Sequence, residues 1–227
     1  MTERETPSVD GLVVGILGGT GDQGRGLARR FALAGHQVII GSRSSERAAA
    51  AAQEIGHGVQ GLANADAARG ASVIIAAVPW EGHGDLLSAL AGELAGKIVV
   101  DCVNPLGFDQ RGAYALSVAE GGPAEGSAAQ QAAALLPGSR VVAAFHHVSA
   151  VLLLDPEVDT IDLDVLVLGD DREATDLVQA LAARIPGVRG IYAGRLRNCG
   201  QIEALTANLV SINRRYKAHA GLRVTDI

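Results

Sequence analysis

The sequence predicts an α/β fold: a doubly wound parallel sheet followed by a smaller C-terminal α+β domain. Three observations predict it. Short apolar runs without polar alternation recur along the first two thirds of the 227-residue chain, as in strands buried on both faces. Segments of helical spacing separate them, as parallel crossovers require. A dense glycine cluster stands where the first run ends.

Leu12–Leu17 (LVVGIL) is the first such run, and a helix is expected from Asp22 to Ala34, with Leu27, Phe31 and Ala34 on one face and Gly35 as the stop. A strand follows at Gln37–Gly41 and an alanine-rich helix at Ser44–Ile55. Ser72–Val78 is a strand stopped by Pro79, and Glu81–Leu94 is mostly helical. Lys97–Cys102 is a strand ended by Asn104-Pro105, and Gly107–Gly126 reads as a loop with a Gly-Gly-Pro turn. A helix at Ser127–Leu136 and a strand at Arg140–Phe145 complete the first unit. Beyond it, the pattern gives a strand at Asp164–Leu168, a helix at Arg172–Ile185, a short strand at Gly190–Ala193 and a long helix from Arg197 to about Ala220. The expected division is a flexible tail over residues 1–10, a nucleotide-binding domain over 11–146 and a small C-terminal domain over 147–227.

Composition excludes several classes. With 48% hydrophobic and 19% charged residues the chain is not disordered. A net charge of −6 argues against a globally basic nucleic-acid binder. Cys102 and Cys199 form no CxxC pair, so neither a disulfide framework nor a structural zinc site is expected. Met1–Asp10 lacks the apolar stretch of a secretory signal and no apolar run spans a bilayer, so a cytoplasmic protein is expected.

Gly19, Gly21 and Gly24, within Gly18–Gly26, fit G-x-G-x-x-G between a strand and a helix. That placement is the context in which the motif marks a dinucleotide site of Rossmann type. Glycine allows the tight turn and the close approach of backbone to a pyrophosphate, and the helix N-terminus supplies free N–H groups. An NAD site places an acid at the end of the second strand. Here that position reads Gly41-Ser42-Arg43, with Arg47 one helical turn on. Serine and arginine suit a 2′-phosphate, so NADP(H) is favoured. The competing reading makes Arg43 and Arg47 ordinary surface charges.

No Tyr-x-x-x-Lys relay, phosphate-binding GK[ST] loop, G-x-S-x-G elbow or HExxH occurs. His146-His147 is the most tempting acid–base pair, against a purely structural role. Asp101 follows an apolar run, where capping is the competing role. A nicotinamide site without an obvious acid–base residue suits hydride transfer between two stacked cofactors.

Gly18–Gly26 (GGTGDQGRG), Gly35–Arg43 (GHQVIIGSR), Val78–Glu81 (VPWE), Val141–Ala150 (VVAAFHHVSA) and Gln201–Thr206 (QIEALT) together resemble the coenzyme F420-dependent NADP oxidoreductase family. The resemblance runs from about Leu12 to near the C-terminus. It implies a Rossmann domain for NADP(H) and a small C-terminal domain, with coenzyme F420 held between them and a hydride passed directly, without a catalytic acid or base. By resemblance, Thr20, Gly21, Asp22 and Gln23 form the phosphate turn, and Ser42 and Arg43 take the 2′-phosphate beside Arg47. Val78, Pro79, Gly82 and Asn104, with Pro105, approach the ribose and nicotinamide. Val148 and Ala150, beside His147, lie near the stacked rings, and Thr206 lines the deazaflavin pocket. The sequence departs from the family at Asn104-Pro105-Leu106, His147-Val148-Ser149 and Gly121–Gly126, which bear on the F420 side.

Read from the residues alone, Trp80 walls a planar ring or anchors the core. From Arg189 to Ile227 there are seven basic and two acidic residues, which makes that segment a docking place for the anionic F420 tail or a solvated helix face. Two other functions remain open. One is an NADPH-dependent reductase of imine, flavin or ferric substrates, with His147 as proton donor. The other is a non-enzymatic NADP(H) sensor. The expected partners are small-molecule cofactors as substrates and a second copy in a homodimer, with no nucleic acid or membrane.

Overall fold

The computed structural model describes residues 7–227. The first six residues of the expected tail lie outside the described residues. Its last part is not loose: Val9 is buried in the core and Asp10 pairs with Arg184, so the packed body begins before residue 11.

Eight strands form one sheet. In chain order the elements are β1 (Val13–Leu17), α1 (Asp22–Leu33), β2 (Gln37–Ser42), α2 (Ser45–Ile55), β3 (Gln60–Ala63), α3 (Asn64–Gly70) and β4 (Val73–Ala76). A 3-10 turn at Trp80–Gly82 leads into α4 (His83–Ala89), α5 (Ala91–Leu94) and β5 (Ile98–Asp101). The hairpin β6 (Leu106–Asp109) and β7 (Gly112–Ala115), then α6 (Ala128–Leu135), β8 (Arg140–Ala143) and α7 (Ala150–Leu154) follow. The chain ends with β9 (Leu163–Gly169), α8 (Arg172–Ala182), β10 (Val188–Gly194) and α9 (Cys199–Tyr216).

The sheet order is β10-β9-β8-β5-β4-β1-β2-β3. Six consecutive strands, from β8 to the β3 edge, are parallel and wound in both directions from β1 and β4, so the switch point lies between those two strands. The C-terminal α+β unit joins the sheet at its edge: β9 runs antiparallel to β8 through only two residue pairs, and β10 runs parallel to β9.

Two cores cover the faces. Val14, Ile16 and Val100 pack on Leu27 and Phe31 of α1, Leu153 of α7 and Leu181 of α8. On the other face Leu17, Ile74 and Val99 pack on Ala67 of α3, Leu87 of α4, Ala132 of α6 and Cys199 of α9. Burial on both faces explains the uninterrupted apolar runs. At α1 the packing is close enough to need glycine: a Cβ on Gly26 would lie 2.6 Å from Leu153 Cβ.

The stretch Gly107–Gly126, expected as loop, holds the β6–β7 hairpin. Asp109 explains it, since its Oδ1 accepts from the N–H groups of Arg111 and Gly112 and so makes the turn. The short β3, α3 and α7 also lie where no element was expected.

Candidate functional site: a cleft at the carboxyl ends of the strands

A cleft of about 800 Å³ opens at the carboxyl ends of β1, β2 and β4. Gly18, Thr20 and Gly21 form its floor. Gly18 has φ of +73°, and a Cβ there would meet Val78 Cγ1 at 2.5 Å and the Ala77 carbonyl oxygen at 2.6 Å. Gly19 and Gly24 face into the turn instead: a Cβ on Gly24 would lie 2.7 Å from Gly19 Cα, and one on Gly19 2.5 Å from Ile40 Cβ. Gly21 is the N-cap of α1, and no side chain caps the helix. The first N–H groups of α1 are thus free for an anion.

On one side the cleft is walled by Ser42, Arg43 and Arg47. Arg43 and Arg47 are exposed and make no ion pair among the described residues. Ser44 caps α2 by accepting from the Arg47 N–H, which sets Arg47 in the first turn facing the cleft. The opposite wall is Val78, Pro79 and Gly82, followed by Asp85, Leu86 and Ala89 of α4. Asn64 also lines the cleft, and its Oδ1 is buried without a hydrogen-bond partner. Sequence reasoning missed Asn64, Asp85, Leu86 and Ala89. Their one signal is position: each follows a strand on the switch-point side of the sheet.

Other expected site residues lie elsewhere. Asp22 is exposed outside the cleft lining, and Gln23 Nε2 donates to the Phe145 carbonyl. Trp80 turns away from the cleft: its indole N–H donates to the Gly121 carbonyl at 2.7 Å, and it borders a neighbouring 380 Å³ hollow. Asn104 and Thr206 converge with each other on the far side of the strand ends. Asn104 Nδ2 donates to the His146 carbonyl at 2.8 Å, and Thr206 Oγ1 donates to Asn104 Oδ1 at 3.3 Å. Pro105, His147 and Val148 are buried beside them, and Ala150 opens α7.

Residues 13–105 match the family described as NADP oxidoreductase, coenzyme F420-dependent. Over 226 residues the chain is 40% identical to the F420-dependent NADP reductase of Methanothermobacter marburgensis, covering 95% of this chain and 99% of that one. The chain belongs to this family. The F420-dependent NADP reductase of Methanocaldococcus jannaschii is 38% identical, over 95% of this chain and 99% of the relative. A crystal structure from Arthrobacter sp. FB24, described as an F420-dependent NADP reductase, superposes with a TM-score of 0.81 at 27% identity, covering 95% of this chain and all of that one. The NADP-bound pyrroline carboxylate reductase of Plasmodium falciparum superposes at 0.60 with 11% identity, over 92% of this chain and 66% of that one, and shows the fold alone.

The electrostatics of this F420-dependent NADP reductase family member divide sharply. His146 and His147 are buried with all four ring nitrogens unpartnered, and burial pushes both down to about pKa 4. They are neutral at pH 7, so His147 is not poised as a proton donor. Both cysteine thiols are buried and pushed up by that burial, which leaves neither as a nucleophile. The basic C-terminal segment is partly spent. Arg189 and Arg223 both bind the buried Asp164, and their hydrogen bonds hold its carboxyl far below the usual range. Arg195, Arg197, Arg214, Arg215 and Lys217 remain exposed. Asp101, weighed as a catalytic acid, is fully buried and bonded to His83 at 2.5 Å.

Proposed function

We propose that this protein transfers a hydride between NADP(H) and coenzyme F420, with the dinucleotide in the 800 Å³ cleft. One observation carries the reading: the uncapped α1 N-terminus and the unpaired Arg43 and Arg47 converge on one cleft. The donor set fits the ligand. Free helix N–H groups suit a pyrophosphate, and two guanidinium groups beside Ser42 suit a 2′-phosphate. The unpartnered Asn64 Oδ1 offers an acceptor to a ribose hydroxyl or adenine amine.

The two bound rings supply the redox chemistry themselves, since a reduced ring gives hydride directly to an oxidised one stacked on it. What the chain contributes is binding, orientation and exclusion of water. Val78, Pro79 and Gly82 present an apolar wall at the cleft. Asn104 and Thr206 hold the His146 carbonyl and so set the backbone of residues 146–148 on the deazaflavin side. Arg195, Arg197 and the basic end of α9 attract the anionic F420 tail.

The neutral, buried His147 disfavours an imine reductase with that residue as proton donor. We further place the protein in the cytoplasm, its buried thiols reduced, as a homodimer formed through the α9 face that exposes Ile212 and Tyr216. Mixing the protein with NADPH and oxidised F420 tests the reading. Loss of F420 absorbance is expected; binding of NADPH without turnover would point to a sensor, and oxidation of NADPH by imines or free flavin alone would point to the other reductases.

A further inference from the structure

The α4 wall of the cleft begins one residue after Gly82, at His83. His83 is fully buried. Its Nε2 lies 2.5 Å from Asp101 Oδ2 and its Nδ1 3.0 Å from Gln131 Oε1. Both partners are acceptors. A neutral imidazole carries one N–H, so one of these contacts would set lone pair against lone pair. Reversing the Gln131 amide would relieve the ring only by giving up a second contact. It would turn Oε1 toward the Glu125 carboxylate, which Gln131 Nε2 now approaches at 3.5 Å. Asp101 Oδ1 accepts from the Val103 N–H at 3.0 Å, which holds the carboxyl group in place against the ring.

The groups around the ring agree. Trp80 covers one face, with centroids 5.5 Å apart and planes 31° apart, as a cation under an aromatic ring prefers. Glu203 of α9 is the second buried carboxylate near it, bonded to the N–H groups of Ala128 and Ala129 at the start of α6. Burial opposes the charge on His83, and the hydrogen bond and charge of Asp101 outweigh it, so its pKa is raised.

We propose that His83 is a buried imidazolium that fixes the Pro79–Gly82 turn through Asp101, Gln131 and Trp80, and is a positioning residue for the dinucleotide. The turn has little else to hold it. It is a single 3-10 turn between β4 and α4, and Pro79 and Gly82 are exposed. The charge on His83 anchors it from below to β5 and α6, while Trp80 spans from the turn to Gly121. The positioning half rests on the proposed NADP(H) reading; the protonation half does not.

The test is proton–nitrogen correlation spectroscopy of the histidine-labelled, ligand-free protein from about pH 6 to 9. The His83 ring is assigned by its proximity to the Trp80 indole protons, so no variant is needed. Two slowly exchanging ring N–H protons with imidazolium nitrogen shifts are expected at pH 7. A single-tautomer neutral ring at pH 7 overturns the proposal. The positioning half is read from His83→Gln, which keeps one donor toward Asp101. The expected result is a KM for NADPH raised about tenfold, as loss of a charged hydrogen bond implies, with the loss falling on KM rather than on kcat. An unchanged KM overturns it. If the wild-type protein binds no NADPH, the cofactor reading fails while the ring spectrum still decides the charge.

Discussion

Gln23 Nε2 donates to the carbonyl of Phe145 at 3.2 Å, across 122 residues of sequence. Phe145 has φ of +64°, a left-handed conformation that a bulky residue adopts only when its surroundings enforce it. Its ring packs edge-on against Phe31 of α1. The bond therefore ties the first turn of the glycine-loop helix to the strained end of β8. Gln23→Ala is expected to lower stability by about 1 kcal/mol, read as the urea midpoint, and to weaken NADPH binding less than loss of Arg43 does.

Arg43→Ala is the sharper test of cofactor choice. Removing a charged partner of the 2′-phosphate should weaken NADPH binding by ~1–3 kcal/mol and leave NADH binding unchanged. Fluorescence titration of both nucleotides checks it, and equal weakening of the two would reject the 2′-phosphate role.

Two glycines of the turn separate packing from binding. Gly18→Ala places a methyl group within 2.6 Å of Val78 and Ala77 at a positive φ, so it should cost about 1–3 kcal/mol of stability. Gly21 has φ of −81°, and its nearest atom to an added Cβ is 3.7 Å away. Gly21→Ala should therefore fold normally and lose NADPH affinity, because its methyl group enters the cleft. Thermal melts alongside titrations distinguish the two; equal melting temperatures for both variants would contradict the geometry.

Glu203 gives a pH signature. Burial pushes its carboxyl up to about 7, against the partial opposition of the Ala128 and Ala129 N–H groups. Its folded pKa lies above the ordinary carboxylate value. The stability it contributes is thus complete below about pH 4.5 and is lost as pH rises toward 7, by about 3 kcal/mol in all. Glu203→Gln cannot ionise. The stability of the wild type relative to this variant should fall by about 1.4 kcal/mol per pH unit across that window. A difference that stays constant between pH 5 and 7 in urea unfolding would refute it.

The alternation of strands and helices was legible because burial on both faces leaves runs such as Val13–Leu17 and residues 98–100 without polar interruption. The glycine turn was legible because its spacing follows directly from backbone approach. By contrast, β3 has one large apolar residue, Leu62, and it sits at the sheet edge, so no run marks it. Summing charges from Arg189 onward overstated the basic surface, because composition does not reveal that Asp164 binds two of those arginines. Trp80 was ambiguous by nature: an aromatic after Val-Pro fits either side of the turn, and only the Gly121 carbonyl decides which. The His83–Asp101 pair joins residues that read separately as a helix start and a strand end.

The junction of α1 and α7 has a mechanical consequence. Gly26 admits Leu153 against the helix backbone, and Arg30 donates to the carbonyls of Leu152, Leu153, Asp155 and Val158. With Gln23 and a shared sheet added, the nucleotide half and the C-terminal half are joined along one continuous seam. The scaffold is a standing vice rather than a jaw.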